Sequence, residues 1–124
     1  MRLLVDTQVF LWVLADSKRL TAPSRSIIEA AEVRLVSLVS AWEVAIKAGL
    51  GKIMLPAPFE PAIAANGFEP LLISFAHVAA VEHLPDHHRD PFDRLLIAQA
   101  LVERLTLISA DRRFTAYGVP LIPA

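Results

Sequence analysis

The segment Arg2-Leu3-Leu4-Val5-Asp6-Thr7 is a short apolar run that stops at a carboxylate, and it constrains the fold more than any other stretch of the chain. Consecutive side chains of a strand point to opposite faces, so an unbroken run such as Leu3-Leu4-Val5 fits a strand covered on both sides, as in a parallel sheet. The stretch that follows, Val9-Phe10-Leu11-Trp12-Val13-Leu14-Ala15, is too long and continuous for a turn and reads as a helix beginning near Thr7. Strand, acid and helix in that order place Asp6 at the carboxyl end of a central strand, the edge at which open α/β sheets bind ligands.

The rest of the chain repeats this alternation. Thr21 and Pro23 supply the cap and first-turn proline of a second helix running to about Ala31, with Ile27 and Ile28 on its buried side. Arg34-Leu35-Val36-Ser37 reads as a second strand, and Ser40-Ala41-Trp42-Glu43 opens a third helix that ends near Gly49 or Gly51. Leu55-Pro56-Ala57-Pro58 is a linker within the domain, leading to a short helix that ends at Gly67. A third strand lies within Phe68-Glu69-Pro70-Leu71-Leu72-Ile73, and Ser74 caps a helix through about Leu84. Asp90-Pro91-Phe92-Asp93 starts the most apolar helix, which is expected to be buried through Val102. Thr106-Leu107-Ile108-Ser109 is a fourth strand ending at Ala110-Asp111. Val119-Pro120-Leu121-Ile122 is a fifth, at an edge because Pro120 has no N–H for the ladder. Strands alternating with helices predict one α/β domain over 1–124, with a five-stranded parallel sheet between helical layers.

Composition limits what such a domain can do. A chain of 124 residues that is 55% hydrophobic, with a mean hydropathy of +0.50, has more apolar surface than one small core needs, and predicts a partner that covers the remainder. Val9, Phe10, Trp12, Val13, Ile27, Ile28 and Trp42 are the expected contact residues. A formal net charge of -1 weighs against holding nucleic acid by a basic field alone, so a polyanion would need a local basic rim or a metal ion. The absence of cysteine removes disulfides, Cys-type zinc sites and thiol nucleophiles. Arg2 and the residues after it imitate a secretory leader, but Asp6 and Gln8 interrupt the apolar region, and no run has the length of a membrane span. The expected location is cytoplasmic.

Four acids are predicted to share one edge of the sheet. Asp6 and Asp111 follow strands, while Glu43 and Asp93 lie in first turns of helices. Each also has a purely structural reading. Glu43 is third after Ser40, as in a capping box, and Asp93 stands in the same relation to Asp90, itself a helix cap. Asp6 can open the helix after it, and Asp111 can start a turn. Together, however, four converging carboxylates repel one another, and a fold retains them when a cation is bound there. Hard oxygen donors without cysteine favour Mg²⁺ or Mn²⁺ over Zn²⁺. Such an ion can activate a water while neutralising a phosphate oxygen, and the chain has neither a Gly-rich phosphate loop nor a Gly-x-Ser-x-Gly elbow to suggest other chemistry. Arg89, Arg94, Arg112 and Arg113 flank the acids as candidate phosphate contacts. His87 and His88 are adjacent, so their side chains diverge, and a solvated loop is the expected setting for both. Trp12 and Trp42 read as core or interface residues.

Four stretches carry a family resemblance: Leu4-Val5-Asp6-Thr7, Ser40-Ala41-Trp42-Glu43-Val44-Ala45-Ile46-Lys47, the run from Arg89 to Ala100 with Asp90-Pro91-Phe92-Asp93-Arg94 at its head, and Leu107-Ile108-Ser109-Ala110-Asp111. In these, in this order and over essentially the whole length, the chain resembles PIN domains and closely resembles the VapC-type ribonuclease toxins of bacterial toxin–antitoxin pairs. The resemblance implies a PIN-like three-layer α/β/α fold and a metal-dependent endoribonuclease with Asp6, Glu43, Asp93 and Asp111 as its acidic quartet. It implies that Asp6 and Asp93 hold Mg²⁺ most directly, with Mn²⁺ able to substitute and with Glu43 and Asp111 as further candidate ligands. Thr7 and Ser109 match the small hydroxyl residues that support the cluster, Ser109 standing where threonine is common, and Asp90 belongs to the same motif. An RNA substrate, a cognate antitoxin and a homodimer are the implied partners. Two other readings compete. A phosphoacceptor receiver module also gathers acids on such an edge, but needs an aspartate after its third strand, where this chain has Ser74-Phe75, and a lysine after its fifth, where it has Pro123-Ala124. A catalytically silent PIN-fold interaction domain would keep the fold without the chemistry.

Overall fold

The computed structural model describes residues Met1 to Ala124. The elements follow the expected alternation: β1 (Arg2–Val5), α1 (Thr7–Leu14), α2 (Ala22–Ala30), β2 (Val33–Ser37), α3 (Leu38–Gly49), α4 (Phe59–Ala65), β3 (Glu69–Leu71), α5 (Phe75–Glu82), α6 (Pro91–Glu103), β4 (Thr106–Ser109), a 3-10 helix (Arg112–Tyr117) and β5 (Leu121–Pro123). The five strands form one parallel sheet in the order β3-β2-β1-β4-β5, with β1 at its centre. Leu4 pairs with Leu35 of β2 on one side and Leu107 of β4 on the other.

The continuous apolar run of β1 is explained by the two cores it joins. Leu3 and Val5 pack on one face with Val9 and Phe10 of α1, Ile28 of α2 and Ile63 of α4. Leu4 points to the other face, among Val39 of α3, Leu96, Ile97 and Ala100 of α6, and Phe114 of the 3-10 helix. Leu3, Leu4 and Val5 are all fully buried, as strand alternation between two helical layers requires. The result is the three-layer α/β/α arrangement that the alternation predicts.

Three expectations about elements change. α3 starts at Leu38 rather than Ser40, because the Ser37 side chain accepts the Val39 N–H at 2.9 Å and caps the helix as soon as β2 ends. Glu43 therefore sits in the second turn and is no member of a Ser40 capping box. α6 is buried only through its middle, Leu96 to Ala100, whereas Leu101 and Val102 in its last turns are exposed. β5 begins two residues late, since Pro120 uses only its carbonyl, which accepts the Leu107 N–H at 2.8 Å. It is an edge strand, as expected.

The expected contact surface on the early helices is also corrected. Val9, Phe10 and Ile28 belong to the core, with the Phe10 ring 5.1 Å from that of Phe59 and 5.3 Å from that of Phe68. Trp12, Val13 and Ile27 are half-buried, and only Trp42 of that set is exposed. The apolar excess emerges elsewhere, along Trp42, Ile46, Leu50 and Met54, and around Leu72, Phe75 and Val78. No helix is long and apolar enough to cross a membrane.

Candidate active site at the carboxyl edge of the sheet

Asp6, Glu43, Asp93 and Asp111 line a single cavity of about 460 Å³ at the carboxyl edge of the sheet, together with Lys47 and Arg113. Four separate elements deliver the acids, and each is oriented by donors close to it. Asp6 is the N-cap of α1: its Oδ1 accepts the Val9 N–H at 2.7 Å, and its Oδ2 accepts the Ser109 hydroxyl. Ser109 in turn accepts the Asp111 N–H at 2.9 Å, so one buried hydroxyl at the end of β4 links two of the acids. Thr7, the first residue of α1, donates to Glu43 Oε1 at 2.6 Å and lies 2.8 Å from the Ser40 hydroxyl. Lys47, one turn further along α3, holds Glu43 Oε2 at 2.6 Å, and this carboxylate raises the pKa of the lysine.

Asp93 occupies the first turn of α6, where Asp90 is the cap. Asp90 Oδ1 accepts the N–H groups of Phe92 at 2.8 Å and Asp93 at 3.3 Å, with Pro91 at the first helical position. Asp111 caps the 3-10 helix through the Arg113 N–H at 3.0 Å. The Arg113 guanidinium grips the same carboxylate with Nε at 3.1 Å and Nη2 at 2.8 Å.

These surroundings divide the quartet electrostatically. Burial pushes the Asp6 carboxyl up to about 6, against the hydrogen bonds from Ser109 and Val9, and Asp111 and Glu43 add repulsion. Burial also pushes Asp93 up to about 7, with repulsion from Asp90, Glu43, Asp6 and Asp111. Asp111 is held down at about 2, mainly by the Arg113 hydrogen bond. Glu43 and Asp111 thus each have a lysine or arginine partner, while Asp6 and Asp93 have none and hold their protons more tightly. A bound cation would relieve the repulsion among these acids, and a hard divalent ion suits an all-carboxylate donor set. The chemistry of these donors fits a hard divalent cation such as Mg²⁺ or Mn²⁺, and Asp93 and Asp111 offer carboxylate oxygens within 4.8 Å of each other.

The structure separates the two histidines that the sequence reading treated together. His87 is exposed, its ring 5.2 Å from that of Tyr117. His88 is not solvated. It is 3% exposed, and its Nε2 lies 3.2 Å from Asp111 Oδ2, to which it donates, and 2.9 Å from Asp93 Oδ2. The divergence of adjacent side chains holds, but it sends one ring outward and the other into the acid cluster. A histidine two residues before a helix cap that precedes a candidate site acid was the available signal. Lys47, one helical turn after Glu43, was likewise missed as the partner of that acid.

Of the four flanking arginines, Arg94 is a correction. Its guanidinium turns into the preceding loop, donating to the carbonyl of Pro85 at 2.9 Å, to those of Val81, Leu84 and His88 at 3.3–3.4 Å, and to the Tyr117 hydroxyl at 3.3 Å. A side chain so engaged braces the loop and is not free for a phosphate. Arg89, Arg112 and Arg113 remain exposed. Trp12 is half-buried against the core, and exposed Trp42 packs edge-on against Phe92 at 5.0 Å.

A parallel five-stranded α/β/α domain with an acid cavity at its carboxyl edge defines a class, and comparison with known proteins gives it a family. The PIN domain family profile matches residues 3–120, and the chain belongs to that family. The receiver reading is thereby set aside. A comparison with curated proteins gives no match. Among solved structures the fold is similar to VapBC2 from Rickettsia felis bound to a DNA fragment from their promoter, with a TM-score of 0.71, 12% identity, and coverage of 99% of this chain and 98% of that one. It is also similar to a toxin–antitoxin complex from Klebsiella pneumoniae, with a TM-score of 0.65, 20% identity, and coverage of 96% and 94%. FitAcB from Neisseria gonorrhoeae matches with a TM-score of 0.68, 15% identity, and coverage of 97% and 96%.

Proposed function

We propose that this chain is a divalent-metal-dependent endoribonuclease of the VapC type, the toxin of a toxin–antitoxin pair. The observation that carries the reading is the convergence of Asp6, Glu43, Asp93 and Asp111 on one cavity in which Asp6 and Asp93 have no lysine or arginine partner. Asp6 and Asp93 would hold Mg²⁺, or Mn²⁺ in its place, and Glu43 and Asp111 would extend the donor set. A bound ion supplies Lewis-acid activation of a water and neutralises charge on a phosphodiester. The protein's own part is orientation: Ser109 aims Asp6, Thr7 and Lys47 aim Glu43, and the Asp90 cap places Asp93 in the first turn of α6. Arg113 beside the cavity, with Arg89 and Arg112, would meet the phosphates of an RNA strand.

The partners follow from the apolar surface and from the comparisons. The similar Klebsiella pneumoniae structure is a toxin–antitoxin complex, and the similar Rickettsia felis VapBC2 is bound to DNA from its own promoter. Exposed Trp42 and Ile46 on α3, with Leu50 at its C-cap, suit a cognate antitoxin segment, and exposed Leu72, Phe75 and Val78 suit a second copy in a homodimer. A cytoplasmic location goes with an RNA substrate.

Purified chain freed of antitoxin, incubated with total RNA and Mg²⁺ or Mn²⁺, should make internal cuts that EDTA and Asp93→Asn both abolish. Intact RNA under all metal conditions would instead favour a silent PIN-fold interaction domain.

A further inference from the structure

We propose that His88 is a positioning residue of the acid cluster: its Nε2–H ties Asp111 and Asp93 together from inside the protein, so that a cation meets a preassembled pair. This role rests on the metal-centre reading of the same cavity and adds a residue to it.

The hydrogen bonds assign the ring proton. Nδ1 lies 3.2 Å from the backbone N of Asp90 and accepts its N–H, which leaves Nε2 as the protonated nitrogen of the neutral ring. Nε2 then donates to Asp111 Oδ2 at 3.2 Å, with Asp93 Oδ2 2.9 Å away. The His88, Asp93 and Asp111 donor atoms all lie within 4.8 Å of one another, so the trio has the spacing of a metal site containing nitrogen. The ring, however, cannot serve as a ligand in this setting. Nε2 could bind an ion only if its proton moved to Nδ1, where it would face the Asp90 N–H. That N–H belongs to the cap of α6, which is itself fixed by the bonds to Phe92 and Asp93. His88 therefore orients the acids and does not coordinate.

The surroundings hold the ring to this task. It is buried, 5.8 Å from the Phe114 ring, in a loop whose Pro85 and His88 carbonyls are bound by Arg94. Asp111 is thereby gripped from two sides, by Arg113 at the surface and by His88 from within. Asp93 has His88 at Oδ2, and its Oδ1 has no side-chain donor. Groups that orient metal-binding carboxylates typically change metal affinity about 10–100-fold when removed.

The test uses the full chain and Mn²⁺ alone, without RNA. Long-range ¹H–¹⁵N spectra of the metal-free wild type should show His88 as the Nε2–H tautomer. Mn²⁺ titration followed by paramagnetic resonance should show His88→Leu, which keeps the volume but lacks a donor, binding about 10–100-fold more weakly. His88→Gln, which keeps an N–H donor, should recover most of that loss. A merely structural His88 would alter melting in chelator and leave Mn²⁺ affinity alone. The Nδ1–H tautomer, or wild-type Mn²⁺ affinity in the Leu variant, overturns the proposal. If the Leu variant does not fold, the tautomer and the Gln variant decide: an Nε2–H ring with near-native affinity for Gln supports the role, and a Gln variant as weak as one lacking a donor overturns it. Failure of the wild type to take up Mn²⁺ refutes the metal centre and this role with it, whereas wild-type uptake with an indifferent Leu variant refutes this role alone.

Discussion

Replacing Asp93 by asparagine should make the metal-free protein more stable at alkaline pH, although the same change abolishes RNA cleavage. The Asp93 carboxyl moves from an ordinary 3.8 to about 7 in the fold. Because the native pKa is the higher one, the native state holds this proton more tightly than the unfolded chain does. The associated stability is complete below about pH 4 and is lost as pH rises from there through about 7. At about 1.4 kcal/mol per pH unit, ionised Asp93 costs roughly 4 kcal/mol. Its side chain is 19% exposed, and solvent screening brings this to about 2–3 kcal/mol. Asparagine keeps the shape, can turn its carbonyl toward His88, and removes the charge. In chelator at pH 8 the variant should therefore melt roughly 6–15 °C above wild type, and the gap should close at pH 4. Millimolar Mg²⁺ or Mn²⁺ should raise the wild-type melting temperature, since an ion bound only by the native state stabilises it by mass action, and should leave the variant unmoved. Melts monitored by circular dichroism at both pH values, with and without metal, would test this. A variant less stable than wild type at pH 8, or a gap independent of pH, would refute the electrostatic account of Asp93.

Arg113→Met should release Asp111 from about 2 toward 3.8, observable in a ¹³C carboxyl titration. Because this native pKa is depressed, its stabilisation is present above the ordinary value and lost as pH falls through about 2, so the variant's acid unfolding should begin at higher pH; an unshifted Asp111 would contradict the assigned cause. Arg94→Met should cost about 1–3 kcal/mol in urea unfolding through the loop carbonyls it leaves unpaired, without changing the salt dependence of RNA binding. A reduced salt slope would return Arg94 to the phosphate rim. Phe10→Ala should cost about 3–5 kcal/mol in the same assay, because a fully buried ring between Phe59 and Phe68 leaves a cavity; a loss below about 1 kcal/mol would place Phe10 at a surface instead.

Much of this protein is written locally. Leu3-Leu4-Val5 requires two covered faces, and Asp6, Thr21, Ser74 and Asp90 cap helices through bonds to N–H groups two or three residues on, so neighbours in sequence suffice to specify them. Asp6, Asp93 and Asp111 were legible for the same reason, because a residue after a strand or in a helix's first turn lies at a known edge of a parallel sheet, whereas Glu43 reaches that edge from the second turn of α3. The start of α3 was not legible. Ser37 and Ser40 can both cap, and the choice fell to Ser37 because β2 keeps its pairing with β3 as far as Ser37 opposite Leu71. The Lys47–Glu43 and Arg113–Asp111 pairs are local, whereas which of two adjacent histidines turns inward and which arginine braces a loop were decided only in the tertiary structure. Likewise, Val9, Phe10 and Ile28 are core rather than contact surface because of the layer packed over them. Backbone caps depend on a few successive dihedrals, whereas the direction and charge balance of a side chain can depend on a partner far along the chain, as in the Ser109 hydroxyl that aims Asp6 from 103 residues away.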